Sequence, residues 1–283
     1  MEFVNYAQLI IGPAGSGKST YCKIIQDHAL ILKRSILIIN LDPAAENFNY
    51  KPDIDIRDLI KVEDVMKKNK LGPNGALLYC MEYLLSNLDW LDNLFEQNGE
   101  NIYYIIDCPG QLELYNHYDI MRKITNHLKK NGFSICSVFC LDCTFLQEQY
   151  KFISGSLLSI ATMIQMELPH VTVLTKCDLI SKTDLYQKIL NNDIESDDIK
   201  EELIKMKMGK NMKKLHNCLT EFIENYAIVQ LYPLNLNDED TINALLYNLD
   251  SILQYFESQD PKDNIFDQAE KDLMDIDDYK NNE

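Results

Sequence analysis

The chain has 283 residues, 46% of them hydrophobic and 25% charged, which fits one large or two small folded domains with a sizeable core. Its 44 acidic residues outweigh 27 basic ones, for a formal net charge of −17, which argues against a broad nucleic-acid-binding surface but leaves room for a local anion pocket. No apolar run approaches a membrane span, and the opening "MEFVNYAQLIIG" lacks a basic n-region and a cleavage site.

"YAQLIIG" from Tyr6 predicts a strand, and "KSTYCKIIQDHALIL" from Lys18 a helix. Between them "GPAGSGKST", Gly12 to Thr20, matches G-x-x-x-x-G-K-[ST]. Glycines such as Gly15 and Gly17 let the loop turn tightly and bring backbone N–H groups, with that of Ser16, onto phosphate oxygens. Lys18 is placed to reach β- and γ-phosphates, the Ser19 hydroxyl to ligate Mg²⁺, and Thr20 to lie near the α-phosphate. A bare glycine turn before a helix would have the same residues, but here strand and helix both flank the loop.

The second strand, "SILIINLD" from Ser35, leads into "NLDPAAE" with Asp42 at its end. "LGPNGALLYCMEYL" from Leu71 opens an apolar helical run on a Gly-Pro-Asn turn, which by itself reads as a helix start. The third strand, "IYYIIDCPG" from Ile102, ends at Asp107, and "DCPGQLE" follows. The carboxyl ends of parallel strands converge on a ligand crevice. Asp107 fits a Mg²⁺ carboxylate, direct or through water, and Asp42 fits a holder of metal-bound or attacking water. Either Asp alone would also serve as a helix cap. The Gly110 N–H is expected to face the γ-phosphate. Gln111, Glu113 or Asp42 is left to orient water, and sequence does not choose among them.

"SICSVFCLD" from Ser134, "HVTVLTKCD" from His170 and "IVQLYPLN" from Ile228 are the fourth to sixth strands. Their near-continuous apolar character belongs to a mostly parallel sheet flanked by helices, an α/β architecture of the P-loop NTPase kind. The C-x-x-C of Cys140 and Cys143 reads as small apolar residues in a buried strand, and the scattered cysteines suggest a reducing compartment. "TKCD", Thr175 to Asp178, has the form [N/T]-K-x-D. Asp178 can accept both guanine N1–H and the exocyclic amine, which adenine cannot offer, while Lys176 lays its stem along the base and Cys177 continues the loop. "LYPLN" near Pro233 is expected as a backbone wall for the base.

Residues 181–214 are polar and Lys/Glu/Asp-rich, and read as a helical insertion, either a lid or a solvated connection. From Ser258 nine acids face three lysines with few large apolar residues, which predicts a disordered tail at 258–283 after a single domain at 1–257. The stretches around Met163, Met166 and Met206 read as core or as an adaptable client groove.

Taken in order, "GPAGSGKST", "NLDPAAE", "GPN", "DCPGQLELY" and "TKCD" resemble the GPN-loop GTPases. The resemblance runs from about Tyr6 to Tyr255, and "FNY" after "DPAAE", "GPNGALLYCMEY" and "FISG" resemble the third eukaryotic paralogue most. It implies a GTP hydrolase using Mg²⁺ with GTP or GDP and working as a dimer. It implies pairing with the first paralogue, or a homodimer, with RNA polymerase II subunits as clients for assembly and nuclear import. It implies a cytoplasmic location with shuttling to the nucleus, and no direct nucleic-acid or membrane partner. It also gives Gly72, Pro73 and Asn74 a role in trans, with Asn74 contacting the partner's phosphate region. Only three arginines occur, Arg34, Arg57 and Arg122, so an arginine finger in cis is poorly supplied, with Arg57 in "DIRDLI" kept as a candidate. An amide on a rigid Gly-Pro turn would be a substitute. Two other readings are a nucleoside or nucleotide kinase, which usually needs an arginine-rich lid, and a nucleotide-gated assembly chaperone with negligible turnover.

Overall fold

The computed structural model describes residues 5–46, 48–147, 149–180, 214–215, 218–219 and 231–255. The helical insertion expected at 181–214 and the tail expected at 258–283 fall essentially outside these residues, as does Met206.

Seven parallel strands form one sheet, in the order β3-β2-β4-β1-β5-β6-β7. They are β1 (Asn5–Ile11), β2 (Ile36–Asn40), β3 (Ile54–Asp55), β4 (Tyr103–Asp107), β5 (Phe133–Asp142), β6 (His170–Thr175) and β7 (Leu231–Pro233). Every residue of β1 and β4 is buried, which explains their continuous apolar runs: both faces of these central strands are covered. The reading from sequence missed β3. It is a two-residue edge strand in an acidic segment, held where Asn40 pairs with Asp55.

The helices are α1 (Lys18–Ile31), α2 (Val62–Asn69), α3 (Pro73–Ser86), α4 (Leu88–Asn98), α5 (Glu113–Asn116), α6 (Ile120–Lys130), α7 (Gln149–Met166) and α8 (Glu239–Leu253). They divide between the two faces. Tyr21, Cys22 and Ile25 of α1 and Ile242, Leu245, Leu246 and Leu249 of α8 pack in one core with Ile10, Ile38 and Val138. The other face is covered by α2 to α6, through residues such as Val65, Leu77, Phe95, Tyr115 and Met121, with Met166 of α7. Each large side chain so buried stabilises the fold by about 1.5–3 kcal/mol. Met166 is thus core. Cys140 and Cys143 belong to opposite cores, so the C-x-x-C is not a paired unit. Among the described residues, no helix is long and apolar enough to cross a membrane.

β1 lies mid-sheet, with β4 on one side and β5 on the other. The chain leaves β1 toward one edge and returns later to fill the other. Such a switch in strand order opens a crevice at the carboxyl ends of the central strands.

Candidate nucleotide-binding site

The loop after β1 turns on glycines with positive φ: Gly12 at 149°, Gly15 at 77° and Gly17 at 90°. At Gly12 the requirement is also spatial, because a Cβ there would lie 2.5 Å from the Cys140 carbonyl oxygen and 2.8 Å from Ser16 Oγ. Gly17 caps α1 without any side-chain hydrogen bond, so the first N–H groups of the helix face the loop unmet by a cap. With the helix dipole they make an anion cradle. Lys18 is buried, and its Nζ donates to the carbonyls of Gly12 and Pro13 at 3.1 Å each. A phosphate would offer the ammonium stronger, charged acceptors. Ser16 Oγ is buried without a partner, a further polar group aimed at the loop's interior.

Asp107 ends β4 and is only 4% exposed. Its Oδ2 accepts from Ser19 Oγ at 2.9 Å and from Tyr50 Oη at 2.7 Å. Burial raises its pKa, Tyr50, Ser19 and Lys18 lower it, and nearby Asp42 raises it further. Asp42 is held in a turn: its N–H donates to Asn40 Oδ1 at 3.0 Å, and its Oδ1 accepts from the Ala44 N–H at 2.9 Å. Its pKa is also raised, mainly by burial, against the Ala44 bond and Lys18. Two buried carboxylates beside the Ser19 hydroxyl are hard oxygen donors whose charge a small divalent cation would offset. Among the described residues no group of three or more His, Cys, Asp or Glu side chains converges as a metal cage. Mg²⁺ takes one or two carboxylates and completes its shell with phosphates and water, and the oxygens of Ser19, Asp107 and Asp42 are donors of that kind.

Gly110 lies against the loop. A Cβ there would meet Lys18 Nζ at 3.0 Å and Ala14 Cα at 3.1 Å. Tyr115 Oη donates to the Pro109 carbonyl at 2.6 Å and pins this turn. Gln111 is half-buried, whereas Glu113 is exposed at the start of α5. Gln111 Nε2 donates to Asn74 Oδ1 at 3.3 Å. Gly72 is extended and Pro73 is the first residue of α3, so the GPN turn is indeed a helix start. It is also an exposed one that sets its amide beside Gln111 of the same chain.

Thr175 Oγ1 donates to the Ser16 carbonyl at 2.6 Å, which docks the end of β6 on the phosphate loop. Lys176 takes a left-handed backbone, and its ammonium contacts Asp142 Oδ2 at 2.6 Å. The Cys177 N–H donates to the Leu234 carbonyl at 3.4 Å, and its thiol to the Leu174 carbonyl at 3.2 Å. The Cys143 thiol donates to the Lys176 carbonyl at 3.1 Å. Asp178 is half-buried in the short turn that follows. The "LYPLN" stretch therefore does run beside this loop, as the sequence suggested.

The three arginines are all engaged by carboxylates. Arg34 pairs with Asp250, Arg122 with Glu167, and Arg57 with Asp55. Arg57 also donates to the Ala45 carbonyl at 2.9 Å and stacks 4.4 Å over the Phe48 ring. It is a strut in the segment after β2, so its candidacy as a finger is not supported by its bonding. Sequence reasoning missed this strut, and it missed Asn40 and Tyr50. Asn40 lies in "NLDPAAE", Tyr50 in "FNY" and Arg57 in "DIRDLI", but the bonds each makes are known only through its partner.

A glycine-turned loop with a buried lysine, the carboxylates Asp42 and Asp107, and the Thr175–Asp178 loop lie at the carboxyl ends of one parallel sheet, which is the arrangement of a P-loop NTPase. A family profile described as a conserved hypothetical ATP binding protein matches residues 10–255. The GPN-loop GTPase 3 of Dictyostelium discoideum is 42% identical over 91% of this chain and 90% of its own. That of Xenopus tropicalis is 42% identical over 94% of each, and that of Saccharomyces cerevisiae 43% over 90% and 94%. The chain belongs to the GPN-loop GTPase family. In fold it is similar to the crystal structure of a GTPase in apo form from Pyrococcus abyssi, with a TM-score of 0.69 at 20% identity over 86% of this chain and 96% of that one.

Proposed function

We propose that the chain binds guanine nucleotide with Mg²⁺ and hydrolyses GTP, in a site completed by a second subunit. The observation that carries this is the docking of Thr175–Asp178 on the phosphate loop through Thr175 and Ser16. It supports reading Asp178, three residues on, as the guanine-binding carboxylate beside the cradle that holds Lys18.

Lys18 leaves its two carbonyl partners for the β- and γ-phosphate oxygens, and the N–H groups opening α1 take the rest. Ser19 and Asp107 would hold Mg²⁺, with Asp42 to hold a water; bound there, the ion would offset the negative charge on the phosphate oxygens. Gln111 is the best-placed group to orient the attacking water, since it is half-buried beside Gly110 while Glu113 is exposed. Asn74 is exposed and can be presented to a partner's phosphate region.

The wider role rests on the family resemblance. The subunit pairs with the first GPN-loop paralogue, or with its own copy, in the cytoplasm. The pair assists assembly and nuclear import of RNA polymerase II. Size-exclusion chromatography with and without that paralogue, and co-purification of polymerase subunits, would test it.

Asp178→Asn tests the base. The amide replaces two acceptors by one acceptor and one donor, which mismatches guanine and suits xanthine. GTP affinity should fall by about 100-fold or more, since one charge-assisted bond becomes a donor–donor clash and the other loses its charge. Affinity for xanthosine triphosphate should rise. Unchanged GTP binding by calorimetry would remove Asp178 from the base site.

A further inference from the structure

The segment between β2 and β3 contributes to the metal-side carboxylate a side chain to which the sequence reading gave no role at the site. Tyr50 is 5% exposed, and its hydroxyl and that of Ser19 both donate to Oδ2 of Asp107. Two donors on one oxygen fix the rotation of the carboxylate and leave Oδ1 clear of both. Ser19 belongs to the phosphate loop, but Tyr50 comes from a different part of the chain.

The ring of Tyr50 continues the connection. It packs on Phe48, with centroids 5.1 Å apart, and Phe48 lies under the Arg57 guanidinium. Arg57 is clamped to Asp55 by bonds of 2.7 to 3.1 Å. Asp55 Oδ1 accepts from Asn40 Nδ2 at 2.9 Å, and Asn40 holds the turn of Asp42. The loop of contacts closes at the sheet, where the Leu41 N–H donates to the Asp107 carbonyl at 2.8 Å. The two metal-side carboxylates are thus joined both through the backbone and through Tyr50, Phe48 and Arg57.

We propose that Tyr50 is a positioning residue for the metal, whose hydroxyl holds Asp107 ready to receive Mg²⁺ and whose ring links that carboxylate to the Asp42 loop. Donors in this outer position orient a metal-binding carboxylate, and losing one typically weakens metal affinity about 10–100-fold. The inference rests on reading Asp107 as the metal's carboxylate.

Tyr50→Phe keeps the ring and removes the donor. The full chain is loaded with a fluorescent GDP analogue in chelator, and Mg²⁺ is titrated against the rate of nucleotide release. The apparent Mg²⁺ affinity should fall about 10–100-fold. Nucleotide affinity without Mg²⁺ should stay within about twofold, because the phosphate cradle is untouched. In turnover, the Mg²⁺ concentration for half-maximal rate should rise while the rate at saturating Mg²⁺ returns to that of the parent. Unchanged Mg²⁺ affinity would overturn the proposal. So would an equal loss of nucleotide affinity with and without Mg²⁺, together with a lowered melting temperature, since that marks packing alone. Asp107→Asn separates the two levels. If it weakens Mg²⁺ binding while Tyr50→Phe does not, only the role of Tyr50 fails. If neither weakens it, the metal reading of Asp107 fails as well.

Discussion

Gln111 and Asn74 touch within one chain, yet only Gln111 is partly sheltered. A 3.3 Å bond from a half-buried amide to an exposed one is weak, because solvent competes for it. Gln111 is therefore restrained without being locked, as a group must be if it is to turn toward a water when nucleotide arrives. Gln111→Leu should bind GTP within about threefold of the parent, since neither the cradle nor the base loop changes. Hydrolysis should slow by a factor on the order of 10 to 1000, the range for losing one positioned amide. Single-turnover rates at saturating GTP and Mg²⁺ would measure this, and a parental rate would move the water role to Asp42 or Glu113. The residue scale is also where sequence was least sufficient. Lys18, Asp107 and Asp178 sit in motifs whose chemistry is fixed by spacing. Tyr50 lies in "FNY", and its meaning is a hydrogen bond to a residue 57 positions away.

Among the elements, strand β1, its loop and helix α1 were legible because a fully buried strand, a glycine turn and a lysine-led helix leave three signals in a row. β3 left none, since two residues carry no periodicity and "DIDIRD" is acidic. The legible unit makes a sharp stability forecast. Gly12→Ala must either leave a φ of 149° or push a methyl to 2.5 Å from the Cys140 carbonyl of β5. Backbone cannot yield as a flexible side chain does, so overpacking and strain together should cost about 2–5 kcal/mol and break the loop's seat on the sheet. Gly15→Ala meets nothing within 4 Å and carries only the left-handed penalty, about 1–2 kcal/mol. Denaturant melts of the nucleotide-free proteins should therefore rank Gly12→Ala well below Gly15→Ala. Equal melts would mean the loop is not seated on β5 as described.

At the scale of the molecule, one buried network ties the phosphate-loop helix, the central sheet and the last described helix together. Asp250 of α8 is fully buried and receives both amines of Arg34, at 2.7 and 3.1 Å. The guanidinium stacks on Tyr255 at 4.7 Å and Tyr103 at 5.3 Å. Gln8 of β1 donates to Tyr103 Oη at 2.6 Å and accepts from Tyr21 of α1 at 2.7 Å. His28 of α1 and Asn243 of α8 make a second tie of 2.7 Å. The amino end of α8 is in turn bonded to the base-side wall, where the Asn235 N–H donates to Thr241 Oγ1 at 3.3 Å, next to the Leu234 carbonyl that holds Cys177. None of this is visible in sequence, where Arg34 and Asp250 are two charges 216 residues apart. Asp250→Ala would leave the Arg34 cation buried without its partner, which should cost about 3–5 kcal/mol. For a domain of this size that lowers the melting temperature by roughly 10 °C. GTP affinity should weaken less than stability does, because among the described residues α8 is tied to the Thr175–Asp178 loop through Asn235 and the neighbouring Leu234 carbonyl and not directly. Replacing both partners by apolar residues, Arg34→Met with Asp250→Leu, removes the stranded charge and should recover most of the loss. A double variant as unstable as Asp250→Ala would show that the cost lies in packing around α8 and not in the unpaired arginine.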